Sequence, residues 1–372
     1  MAPRTRLFTL AALTRAYQRN LKALVRATQP VRPARPARVK VLAPVRRPAR
    51  RPGGPERGQW LAGVAPGPAG ARRYHLYVPP GLALQAGEKL PLLVMLHGCG
   101  QTGRDLAVLS SMNRLAARQR LFVLYPEQER VANAHGCWSW FERRSGKADA
   151  EAATLLAAVD LVARRQPIDL ARVAVAGLSA GASMAVWMAA LYPARFCAVA
   201  MHSGVAPGTA ESSGTAMVAM QGRREAHLPE PVVPLLSAAQ RGGADQPQDA
   251  AAVVGAAHKA TATRALPPLL VVHGDADGVV SLRNAAATAA LWADALGASA
   301  GPVRTLQRGQ RHAMQVTDFK AGGRTVVTLR EVKGLAHAWS GGAASQPFSD
   351  PAGPDASALV WAFVARQFLG KK

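Results

Sequence analysis

Apolar residues recur along this chain with two periods, and the switches between them mark out its elements. From Leu7 to Val25, the residues Leu7, Leu10, Leu13, Tyr17, Leu21 and Leu24 follow a helical spacing. Arg15, Arg19, Lys22 and Arg26 fall on the opposite side, which predicts a basic amphipathic helix within residues 1–28. Residues 30–68 lose all period and hold nine prolines, many as Pro-x-Arg-Pro. Such a segment has too little apolar surface to order itself, so residues 29–71 are predicted to be a disordered, extended linker.

A folded domain is predicted over residues 72–370. Tyr74–Val78 alternates as an edge strand. Leu90–Leu96 is apolar without a break, as expected of a parallel strand buried on both faces, and Leu121–Tyr125, Cys197–Met201 and Leu269–Val272 read similarly. Helical spacing covers residues 105–119, 148–165, 283–296 and 355–369. Arg311–Phe319 and Thr325–Val332 alternate on either side of Ala321-Gly-Gly323, which predicts a hairpin. Residues 206–265 have weak periodicity and are expected to be a partly disordered insertion near the site. Alternating strands and helices give an α/β class, with a mostly parallel central sheet and helices on both faces.

One stretch carries chemistry. Val173-Ala-Val-Ala-Gly-Leu-Ser179-Ala-Gly-Ala-Ser runs from a β-branched strand through Gly-x-Ser-x-Gly into an alanine-rich helix. That order of strand, turn and helix exposes a serine nucleophile at the sheet top and is the signature of an α/β-hydrolase fold. A serine hydroxyl needs a base, and the base needs an orienting carboxylate. In this fold the chain order is Ser, acid, His, which points to Ser179, an acid in Asp275-Ala-Asp277, and His337 in a glycine-flanked loop before the last helix. Asp277 lies farther along its loop, whereas Asp275 is expected to cap the turn on its own amides. His202 is the rival base, although it precedes the acid. The turn His97-Gly-Cys-Gly100 follows a strand and would supply one oxyanion N–H from Cys99, with the other from Ala180 at the helix start. None of this chemistry calls for a metal or cofactor.

Composition changes the picture in one respect. The net charge of +24 is concentrated: residues 1–73 hold seventeen Lys/Arg against one Glu, so the remaining 299 residues carry only +8. The basic character describes a tail, and without aromatics or a recognisable module it gives no specific nucleic-acid partner. No uncharged run is long enough to span a bilayer. The short Leu7–Leu13 run, followed by charges, is not expected to be a secretion signal. Residues 5–27 are instead a candidate contact for an anionic surface or granule. Of three cysteines, Cys99 and Cys137 flank the site and are expected to pair if the protein meets an oxidising compartment. Three free thiols are the alternative.

Together His97-Gly-Cys-Gly-Gln-Thr102, Gly136-Cys-Trp-Ser-Trp-Phe141, Gly177-Leu-Ser-Ala-Gly181, His273-Gly-Asp-Ala-Asp277 and Gly334-Leu-Ala-His-Ala-Trp339 resemble the short-chain polyhydroxyalkanoate depolymerase family of esterases, relatives of feruloyl and acetylxylan esterases. The resemblance spans about residues 72–369. It implies a Ser179–Asp277–His337 triad, an oxyanion hole of the Cys99 and Ala180 amides, hydrolysis of a polyester or other carboxylic ester, and an extracellular setting, with cytoplasmic or granule-associated as the alternative. Ala336 stands where that family usually has Gly, and Ser340 where it usually has Pro. Trp138, Trp140 and Trp339 are candidates for lining the substrate pocket, against plain core packing. A feruloyl- or acetylxylan-type esterase is the competing enzyme, and a surface-binding protein acting through its tail is the reading outside enzymes.

Overall fold

The computed structural model describes residues 58–232 and 266–369, so the predicted N-terminal helix, most of the predicted linker and residues 233–265 lie outside the described residues. Strands β1 (Gln59–Ala65), β2 (Arg72–Val78), β3 (Leu90–Leu96), β4 (Phe122–Pro126), β5 (Ile168–Leu178), β6 (Ala198–His202), β7 (Leu269–Gly274), β8 (Ser299–Ala300), β9 (Arg304–Leu306), β10 (Met314–Ala321) and β11 (Arg324–Val332) build one sheet. Their order is β1-β2-β4-β3-β5-β6-β7-β11-β10-β8, with β9 beside β10. From β4 to β11 the neighbours run parallel, and both flanks are antiparallel. A short separate ladder joins β12 (Trp339–Ser340) to β13 (Ser349–Asp350).

The uninterrupted apolar strands make sense because each face is covered. Leu92, Val94 and Leu96 point into a core closed by α3 (Lys147–Arg165), α4 (Ala180–Leu191) and α6 (Arg283–Ala295). Leu93 and Met95 point the other way, under α1 (Gly103–Ser110), α2 (Met112–Gln119) and α7 (Ala356–Leu369). The remaining helix, α5 (Ser213–Met220), lies in the described part of the expected insertion and buries only Ala219.

Two expectations need correction. Tyr74–Val78 is not the edge strand, because β1 pairs along its length in register Gln59↔Val78 to Ala65↔Arg72. The composition that reads as linker is what permits β1: a Cβ on Gly63 would overlap the Tyr74 ring, and one on Gly58 the Tyr77 ring. Trp60 then closes the edge, edge-on to Tyr125 at 5.3 Å. The single helix predicted over 105–119 is two, separated by Ser111 in the left-handed region (φ 53°). The hairpin is as expected, with Gly322 and Gly323 both at positive φ (54° and 76°), the geometry a tight two-residue turn requires.

Candidate active site

Every residue of the predicted constellation lies at the carboxyl end of a parallel strand or in the loop beyond it. Ser179 follows β5 and starts α4, at φ 56° and ψ −123°, a backbone conformation that a side chain rarely adopts. Two close approaches enforce it. A Cβ on Gly177 would overlap the Gly181 backbone, and one on Gly181 would overlap the carbonyl oxygens of Leu96 and His97. Only glycines at both places let strand and helix cross there, which is why the motif has them. The Ser179 N–H donates to His202 O at 2.9 Å and fixes the elbow to β6.

The predicted base lies in the loop after β11. His337 Nε2 lies 2.9 Å from Ser179 Oγ, and its Nδ1 lies 2.8 Å from Asp277 Oδ2. Asp277 follows β7, and its Oδ1 accepts the N–H groups of Val279 and Val280 at 2.9 Å each. Burial opposes charge on Asp277. The donors at His273 and His337, the His337 charge and the Val280 N–H outweigh it and hold this carboxyl far below the usual range. Asp275 has a part beyond the one expected. Its carboxylate engages its own backbone amide, and it also accepts the Gly334 N–H at 2.7 Å and pairs with Lys333 Nζ at 3.0 Å, so it binds the loop of His337, while Asp277 caps the turn as well. The rival His202 is buried, stacked on Trp339 at 4.9 Å, and makes no bond to Ser179 Oγ through its ring.

The predicted oxyanion turn lies against Ser179: a Cβ on Gly98 would come within 3.5 Å of Ser179 Cβ. Among the described residues, the backbone N–H groups of Cys99 and Ala180 find no hydrogen-bond partner, as donors awaiting a developing oxyanion require. Around the turn, the His97 ring bonds Gly98 O at 2.8 Å and the Gln128 N–H at 3.1 Å, and Trp138 Nε1 donates to His97 O at 2.9 Å.

With this geometry in place, comparison with known proteins is informative. The sequence pattern of the family described as Esterase PHB depolymerase matches residues 72–300. The chain belongs to that family. Poly(3-hydroxyalkanoate) depolymerase C of Paucimonas lemoignei is 37% identical over 129 residues, 34% of this chain and 30% of that protein. Feruloyl esterase B of Neurospora crassa is 32% identical over 136 residues, covering 36% of this chain and 44% of its own length. The chain thus matches less than half of the length of either relative. The solved acetyl xylan esterase of Aspergillus awamori shares the fold, with a TM-score of 0.55 at 20% identity over 75% of this chain and 93% of that one. The α/β-hydrolase fold is therefore that of this PHB depolymerase-family chain, whose family match ends before His337. The assignment of the base rests on geometry.

Of the two readings of the tryptophans, burial favours core packing. Trp138 and Trp339 are fully enclosed and Trp140 nearly so, each packed among core residues. Trp339 Nε1 reaches Ser357 Oγ at 3.2 Å, and Trp140 packs edge-on to Phe141 at 5.3 Å. Rings in an aromatic-rich loop are drawn inward because each removes a large apolar surface from water.

Glu151 was not among the expected site residues. It is wholly buried on α3, accepting from Arg72 Nη2 at 3.0 Å, Gln128 Nε2 at 2.6 Å and the Ser139 N–H at 2.5 Å. Gln128 also donates to Cys137 O, which carries this network to the oxyanion turn. The signal was present: Glu151 sits one turn before Leu155, on the same apolar face as Val159 and Val162.

Cys99 and Cys137 are joined in a disulfide that closes a sequence separation of 38, while Cys197 is a buried thiol bonded to Val173 O. A cross-link of that span stabilises by about 3–4 kcal/mol in the chain-entropy view. Denatured, unreduced protein is expected to titrate one thiol and, after reduction, three. Reduction should also lower the melting temperature. Three thiols without reductant would exclude the bridge.

Proposed function

We propose that this chain is a serine esterase that hydrolyses carboxylic esters, with short-chain polyhydroxyalkanoate or its oligomers as the substrate class. The observation that carries the reading is the unbroken chain of hydrogen bonds from Asp277 through His337 to a strained Ser179. Ser179 Oγ attacks the ester carbonyl while His337 Nε2 takes its proton. The carbonyl oxygen becomes an oxyanion held by the Cys99 and Ala180 N–H groups. Asp277 keeps the imidazole in the tautomer with its proton on Nδ1 and stabilises the imidazolium. The imidazolium then gives its proton to the departing alkoxide, leaving an acyl-enzyme. Water, deprotonated by His337, attacks the acyl carbon and releases the acid, restoring Ser179. The carboxylate remains charged throughout, in keeping with its strongly lowered pKa.

Polyester ranks first as substrate because the relative of 37% identity is named a poly(3-hydroxyalkanoate) depolymerase. A feruloyl- or acetylxylan-type substrate is the second reading, favoured by the names of the other relatives. The Cys99–Cys137 bridge supports an oxidising, extracellular setting. A panel of 3-hydroxybutyrate oligomers, methyl ferulate and acetylated xylan separates the substrates. Oligomers are expected to give a kcat/KM at least about tenfold above the others, a difference of about 1.4 kcal/mol in transition-state binding. The reverse ranking overturns the polyester assignment, and no turnover of any ester overturns the esterase.

A further inference from the structure

His202 is the histidine the triad leaves unused, and it touches both halves of it. Its backbone oxygen accepts the Ser179 N–H at 2.9 Å. Its ring accepts, through Nε2, the Ser340 N–H at 3.1 Å, three residues after His337. Since Nε2 accepts, the ring proton is on Nδ1, which faces Ser203 Oγ at 3.1 Å. Both His202 and Ser340 are buried, so the Ser340 N–H has no water to turn to. The neighbours in the short β12–β13 ladder do not need it: Trp339 N–H donates to Phe348 O and Gly341 N–H to Asp350 O, leaving Ser340 N–H for the imidazole.

We infer that His202 is a positioning residue that sets the separation between nucleophile and base, tying the elbow by its main chain and the His337 loop by its ring. This rests on the triad of the proposed esterase. A neutral ring is required, since an imidazolium has no acceptor. Burial first, then the nearby His273 and His337, lower its pKa to about 3, against the opposing pull of Asp277, so it stays neutral over the working range. Trp339, stacked at 4.9 Å and 21°, holds the ring in the plane that aims Nε2 at the Ser340 N–H.

Two variants test this. His202→Phe keeps a ring on Trp339 but removes the acceptor. His202→Gln places an oxygen near the Nε2 position and loses the ring. For a soluble butyrate ester, His202→Phe is expected to lose about 10–100-fold in kcat with KM changed less than about twofold, the range of a disturbed transition-state contact. The acid limb of its pH–rate profile should move by about half a unit to lower pH, as the imidazolium at His337 loses part of its hold on Asp277. His202→Gln should recover to within about fivefold of the parent, with the limb restored.

A His202→Phe enzyme with parental kcat and an unmoved limb overturns the inference. So do equal losses in His202→Phe and His202→Gln with an unmoved limb, which describe packing alone. Should His202→Phe not fold, His202→Gln decides alone: a parental kcat and limb support the tie, and a loss of kcat with an unmoved limb overturns it. Fluorophosphonate labelling of Ser179 in the parent protein tests the triad separately, so failure of that reading is told apart from failure of this one.

Discussion

Ser179→Ala is expected to hydrolyse p-nitrophenyl butyrate about three to six orders of magnitude more slowly than the parent, while melting within about 2 °C of it. The two halves of that expectation have separate causes. Alanine removes the only atom of residue 179 that His337 Nε2 bonds, so the attacking group is gone. It keeps the Cβ, so the backbone stays at φ 56° with the same strain, and the Ser179 amide still reaches His202 O. Residual rate then comes from water attacking an ester polarised by the Cys99 and Ala180 amides. A fluorophosphonate probe should label the parent once and the variant not at all. Labelling that survives in Ser179→Ala would assign the nucleophile elsewhere.

Glu151→Ala is the substitution expected to cost most in stability, about 3–5 kcal/mol, because it breaks a buried pair and leaves Arg72 charged in the core. Arg72 is only 2% exposed, and the donors from Gln128 and Ser139 lose their acceptor at the same time. The melting temperature should fall by roughly 5–10 °C. Glu129→Ala is the matching control. Its partner Arg73 is 64% exposed, and exposed pairs contribute about 0–1 kcal/mol. Equal melting temperatures for the two variants would mean that water reaches Glu151.

How far the sequence carries depends on whether the information is local. The parallel strands were legible because burial on both faces leaves runs such as Leu90–Leu96 with no polar position. Ser179 was legible because Gly177 and Gly181 are dictated by one crossing of strand and helix within five residues. His337 and Asp277 followed from chain order, which is set by topology. Other roles depend on residues distant in sequence. Glu151 lies on an apolar helix face, but its partner Arg72, 79 positions away, is not legible from that spacing. His202 resembles a base until the Ser340 N–H, 138 positions away, claims its acceptor. The further part of Asp275 had the same origin, since the Gly334 amide that engages it belongs to another loop. Strand β1 was missed for an opposite reason: its small residues serve as a floor for the rings of Tyr74 and Tyr77, and that composition looks like a linker.

The sheet is threaded so that Ser179 and His337, in hydrogen-bond contact, lie 158 positions apart. A chain emerging from the ribosome exposes Ser179 long before its base exists. The elbow can form once β5, β6 and α4 have emerged, but β11, the strand that delivers the base loop, enters the sheet only by pairing with β7. For the 158 positions made from Ser179 to His337, the serine has no imidazole to take its proton. On dilution from denaturant, burial of the tryptophans should precede the return of esterase activity, because the contact that completes the site joins residues 158 positions apart.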